Sequence, residues 1–224
     1  MKSLLYIIGL TFVLHTSVFG AVDCSLENQQ EIISDRSSAS IQDIYDVVFE
    51  ADISKKIYFS DQITERSINR LLKRIRKVID ENRDENINIT ITLASGGGDI
   101  NQTLRGIRAI KGLNSLSNVQ IDTKVTSSNT CESACTILFL AGQQRYASQR
   151  AQFGFHSPHF ERGDRGERTR DEIEEIYRSI WLDEIRKVDA VSANLIHDNE
   201  YLYDARMSMV RGSELNHGYV TDLL

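Results

Sequence analysis

Ser133 and His156 are the two residues on which chemistry can be built. Ser133 sits inside Cys131-Glu132-Ser133-Ala134-Cys135, where a strand pattern gives way to a run of small helix-forming residues. His156 ends the apolar run Gln152-Phe153-Gly154-Phe155, just before Ser157-Pro158. A serine at a helix start and a histidine at a strand end, held on one scaffold, suit nucleophilic acyl transfer, with the imidazole taking the hydroxyl proton. Each also has a plainer reading. A serine in that position is usually only an N-cap, and a lone histidine is more often structural. A metal site is disfavoured: His156 and His159 lie three apart around a proline, and C-x3-C lacks two further ligands at suitable spacing.

Two strand–loop–helix units must position these residues. Ile87, Ile89, Ile91 and Leu93 alternate with polar residues, which predicts a strand. It runs into Ala94-Ser95-Gly96-Gly97-Gly98-Asp99, and a helix follows with Leu104, Ile107 and Ile110 on its core face. Glycines at such a junction let the backbone turn sharply and leave N–H groups pointing outward. The loop lacks both G-x-G-x-x-G and a P-loop lysine, so a phosphate cradle is a weak reading. An oxyanion hole and a simple tight turn remain. Val119, Ile121, Thr123, Val125 and Ser127 alternate again, and Ser133 stands at the turn into a helix reaching Ala141. Two such junctions lie side by side at the carboxyl edge of neighbouring parallel strands, where α/β proteins carry their sites.

The rest reads as frame. Lys56–Phe59 is a short buried strand. Ile68, Leu71, Leu72, Ile75 and Val78 mark one face of a helix within 61–80, opposite a basic face of Arg66, Arg70, Lys73, Arg74 and Lys77 that reads as a solvated surface. Arg145-Tyr146-Ala147 and residues 152–155 form two short strands around a turn. Residues 161–170 are a charged loop. Ile173, Ile176, Tyr177, Ile180 and Trp181 mark a long amphipathic helix that could pack against another subunit. A helix over 192–196 follows, then a short one near 213–216 closed by Gly218, and Tyr219-Val220 reads as a terminal strand.

The chain has 224 residues with 41% apolar and 26% charged content, enough for one substantial core. The net charge of -6 counts against nucleic acid as the partner. Residues 1–20 have a positive start at Lys2, an apolar stretch from Leu4 to Val18 and small residues beyond, the pattern of a secretory signal peptide cut after Gly20. The alternative is an N-terminal membrane anchor, but the apolar run is shorter than the ~20 residues a spanning helix needs. Asp23 before Cys24 argues against a lipoprotein. Outside the cytoplasm thiols tend to pair. With three cysteines, Cys131 and Cys135 are the local candidates for a bridge around Ser133. Two buried free thiols are the other reading.

From Lys55 onward the chain resembles the proteolytic subunit of the Clp protease, within the Clp/crotonase superfamily. Ser95-Gly96-Gly97-Gly98 matches that family's Ser-Pro-Gly-Gly loop, with Gly96 in place of proline. Glu132-Ser133-Ala134 matches its nucleophile turn. Ala141-Gly142, Arg145-Tyr146, Phe155-His156-Ser157-Pro158 and the ending Gly218-Tyr219-Val220-Thr221-Asp222 fall in the family's order. The C-x-S-x-C variant looks most like exported bacterial Clp-like proteins. The resemblance implies an α/β fold of repeated β-β-α units with a protruding long helix, over residues 55–224, after a signal peptide (1–20) and an N-terminal arm (21–54). It implies Ser133 as nucleophile, His156 as general base and then acid, and the N–H groups of Gly97 and Ala134 as oxyanion donors. The family's aspartate falls close to Arg206, where this chain has none; Asp204 is the expected third member, with Asp198 and Asn199 behind it.

The resemblance therefore implies an exported serine peptidase acting on peptide or protein substrates. Such an enzyme needs no cofactor or metal, assembles as a homo-oligomer and has no obvious ATPase partner, because the family's unfoldase is cytoplasmic. The second reading is a catalytically weak or inactive Clp-like interaction protein, suggested by the displaced aspartate and the extra cysteines. The third is a crotonase-type acyl-thioester enzyme, which shares the oxyanion loops without needing a Ser–His pair.

Overall fold

The computed structural model describes residues 50–157, 170–215 and 218–224. The expected signal peptide, nearly all of the N-terminal arm, Cys24, Pro158, His159 and the charged segment after it lie outside the described residues. So do the side chains of Ile173, Ile176 and Tyr177.

The core is a five-stranded parallel sheet. From one edge to the other its strands are β1 (Ile53–Phe59), β2 (Ile87–Leu93), β3 (Val119–Val125), β5 (Arg145–Ala147) and β8 (Asp222–Leu223). On β2 the alternation predicted from sequence is the alternation observed: Ile87, Ile89, Ile91 and Leu93 are buried, and the threonines and asparagine between them are only partly so. On β1, Ile57 and Phe59 are buried while Tyr58 is 53% exposed, so this strand buries one face rather than both.

The helices α1 (Glu65–Glu81) and α2 (Ile100–Leu113) follow β1 and β2. Thr64 caps α1 through a reciprocal box with Ser67, which fixes where the helix starts. Its apolar stripe buries Ile68, Leu71, Leu72 and Ile75, as expected. Asp99 caps α2 by accepting from the N–H groups of Asn101 and Gln102.

A second sheet has three strands, with β4 (Thr130–Glu132) and β7 (Ser208–Arg211) on either side of β6 (Gln152–Phe155). The β4–β6 pair is parallel and the β6–β7 pair antiparallel. The two short strands expected around a turn are present, and they lie in different sheets: β5 belongs to the first sheet and β6 to the second. The helix α3 (Ala134–Leu138) continues into a 3-10 turn over Phe139–Ala141. The helices α4 (Arg170–Val188) and α5 (Ala190–Asp198) come next, and α4 buries Leu182 and Ile185. Tyr219-Val220 is a turn rather than the expected strand, and the terminal strand is β8. Tyr219 is fully buried because its ring closes an aromatic cluster with Phe139, Phe153 and Phe155.

Candidate active site

Strand β4 delivers the chain to Ser133, and α3 leaves from it. Between them Ser133 has φ 53° and ψ -128°, a positive-φ conformation that costs on the order of 1–3 kcal/mol for a residue other than glycine. Neighbouring bonds hold it there. Its N–H donates to the carbonyl of Gly154 at 2.7 Å, and its own carbonyl accepts from the N–H (2.9 Å) and hydroxyl (2.6 Å) of Thr136. The Ser133 side chain forms no cap bond to the helix, so the plain N-cap reading does not apply. The hydroxyl is instead within 2.7 Å of His156 Nε2.

A disulfide joins Cys131 to Cys135, with Cα atoms 5.3 Å apart, and so closes a ring around Ser133. Both cysteines are fully buried. Residues four apart on one helix would lie about 6 Å apart. The observed span is shorter because the chain turns between β4 and α3.

His156 follows directly on β6 and is 9% exposed. Its Nδ1 lies 2.6 Å from the carbonyl oxygen of Ser157. A carbonyl can only accept, so Nδ1 carries the proton and Nε2 presents its lone pair to the Ser133 hydroxyl. That is the tautomer a general base needs. The Ser157 peptide is fixed in turn, since its N–H donates to the main-chain carbonyl of Asp204 at 2.7 Å.

Asp204, the expected third member, has its side chain on Arg206. Its carboxylate accepts from the N–H of Arg206 at 2.8 Å and from the Arg206 guanidinium at 3.1 Å. These bonds hold the Asp204 carboxyl below its ordinary pKa, the N–H of Arg206 first and its guanidinium second. Of the two weaker candidates, Asp198 lies beside His197, and Asn199 donates to the Leu195 carbonyl.

The glycine loop after β2 packs against the nucleophile turn. Glu132 N–H donates to the Ser95 carbonyl at 2.9 Å. Gly97 has φ 90°, and a Cβ there would lie 2.6 Å from Ser133 Cβ and 2.7 Å from the Glu132 carbonyl oxygen, so only glycine fits. The Gly97 N–H, expected as an oxyanion donor, is taken by Ser95 Oγ at 3.1 Å. No described hydrogen bond uses the N–H of Ala134, the first residue of α3. The loop is therefore a close-approach turn at Gly97, with a donor beside it at Ala134.

Reasoning from sequence missed three contributors. The Ser157 carbonyl has no side-chain signature. Thr136 looked like one more helix residue. Tyr219 donates its hydroxyl to the Thr136 carbonyl, and so ties the C-terminal turn to the nucleophile helix. Burial pushes the Tyr219 phenol well above its ordinary pKa and keeps it a donor. Among the described residues, no group of three or more histidine, cysteine, aspartate or glutamate side chains could hold a metal ion.

No protein-family model matches the sequence, and no curated protein matches it either. Solved structures do match the fold. The crystal structure of the ClpP protease catalytic domain from Plasmodium falciparum superposes with a TM-score of 0.54 at 15% identity, covering 75% of this chain and 84% of that one. The chain has the α/β fold of that catalytic domain.

Proposed function

We propose that this protein is a serine peptidase that cleaves peptide bonds through Ser133 and His156. The observation that carries the reading is the 2.7 Å contact between Ser133 Oγ and His156 Nε2 at a strained turn. In the reaction, Ser133 Oγ attacks the carbonyl carbon of the scissile amide as its proton passes to His156 Nε2. The imidazolium then gives that proton to the leaving amine. Water repeats the sequence on the acyl-enzyme and restores Ser133. The Ala134 N–H faces the developing oxyanion, a role worth about 3–4 kcal/mol for one donor in a comparable hydrolase. The Ser157 carbonyl orients the imidazole through Nδ1.

We further propose export from the cytoplasm, supported by the N-terminal signal pattern and by a disulfide of the kind that persists in oxidising compartments. A homo-oligomer working without an ATPase partner remains the expectation from the resemblance.

The test is covalent labelling by a fluorophosphonate. The parent protein is expected to label, and Ser133→Ala and His156→Ala are expected to abolish it. A folded parent that takes no label would overturn the hydrolase reading.

A further inference from the structure

Glu132 directly precedes the nucleophile on β4, is half-buried, and has no described hydrogen bond or ion pair on its carboxylate. Across the second sheet its partner in register is Gly154. A Cβ built on Gly154 would lie 2.8 Å from Glu132 Cγ and 2.7 Å from Met207 Sδ. Two side chains therefore converge over a glycine floor from opposite neighbours, and any larger residue at 154 would displace them. The carboxylate reaches back to the glycine loop, with Glu132 Oε2 3.8 Å from a Cβ built on Gly96. Met207 is 39% exposed and offers an apolar wall that nothing described covers.

An unpaired carboxylate beside an apolar thioether matches one class of side chain. Lysine and arginine carry a cationic head on an alkyl stem, and the stem can lie on Met207 while the head meets Glu132. An acidic side chain in the same place meets like charge. We propose that Glu132 and Met207 form a subsite for a lysine or arginine flanking the scissile bond. This rests on the peptidase reading above and adds its substrate class: peptides cut next to a basic residue.

The experiment uses internally quenched peptides that differ only in carrying Lys, norleucine or Glu at one position, with the cut mapped by mass spectrometry. The parent is expected to cleave beside Lys with kcat/KM at least about tenfold above norleucine, and to cleave least beside Glu. Glu132→Gln brings the Lys-to-norleucine ratio close to one, chiefly through KM. Glu132→Lys inverts the order of Lys and Glu. Met207→Ala lowers cleavage of the Lys and norleucine peptides together and keeps their ratio. A parent that takes the fluorophosphonate on Ser133 yet cleaves Lys and norleucine peptides equally overturns the subsite alone, as does a Glu132→Gln variant that keeps the ratio. A folded parent that takes no fluorophosphonate overturns the peptidase reading and the subsite with it.

Discussion

The main-chain carbonyl of Asp204 accepts the N–H of Ser157 at 2.7 Å, while the Asp204 carboxylate turns to Arg206. The segment expected to supply a catalytic carboxylate thus supplies a peptide carbonyl, one step removed from the imidazole. In a Ser-His-Asp hydrolase, losing the aspartate side chain costs about 10⁴ in rate. Here Asp204→Ala leaves the Ser157–Asp204 main-chain bond in place. Fluorophosphonate labelling of this variant is expected to stay within about tenfold of the parent. A loss of about a thousandfold or more would return the carboxylate to the catalytic group.

Gly97 gives a sharper test of the site's geometry. An alanine there must take up φ near 90° and place its methyl against Ser133 Cβ. Backbone strain of this kind costs about 1–3 kcal/mol before any steric shift. Gly97→Ala is expected to label at least tenfold more slowly than the parent and to melt at lower temperature. Gly112→Ala is the control, because a Cβ there meets nothing within 4 Å; at an exposed helix position it should be neutral or slightly stabilising.

How much of this was legible before the structure depends on the kind of group. Ser133 and His156 could be found because each is a reactive side chain at the end of a patterned element. Cys131 and Cys135 could be nominated because their spacing brackets that serine. Strand β4 could not, since three residues carry no periodicity. The sheet exchange between β5 and β6 was hidden for a related reason: both are short, and only their partners, β3 and β8 for one, β4 and β7 for the other, tell them apart. The group on His156 Nδ1 is a main-chain carbonyl, which every residue possesses. A pattern that looks for an acid will settle on the nearest one, Asp204.

The pairing of Arg145 with Asp189 predicts how stability follows pH. Arg145 Nη1 lies 2.7 Å from Asp189, and its other guanidinium nitrogens donate to the carbonyls of Tyr219 and Gly218, which locks the C-terminal turn to α5. Lys111 faces the same corner, donating to the Val188 carbonyl. Burial alone would push the Asp189 carboxyl up, but the Ser192 N–H and Arg145 together outweigh it and hold the carboxyl below its ordinary value. A depressed folded pKa gives stability that is full above the unfolded value, about 3.9, and is lost as pH falls through the folded one. Asp189→Asn is therefore expected to lose about 3 kcal/mol near neutral pH. Its deficit against the parent should shrink below about pH 4. Urea unfolding of both proteins between pH 7 and 3 reads this directly. A constant deficit across that range would mean that the charge of Asp189 does not matter.

The disulfide bears on both stability and the nucleophile. Closing a loop as short as Cys131–Cys135 removes unfolded-state entropy worth about 2 kcal/mol on the chain-entropy account. In a domain of this size, that corresponds to about 4–8 °C in Tm. The bridge also clamps the segment in which Ser133 holds φ 53°, so its loss lets that backbone relax toward ordinary conformations. A Cys131→Ala/Cys135→Ala double variant is expected to melt lower by that amount and to label with fluorophosphonate at least tenfold more slowly at a temperature where it is still folded. If Tm falls and labelling does not, the bridge acts as a general staple, and the bonds of Gly154 and Thr136 to Ser133 suffice to hold the nucleophile.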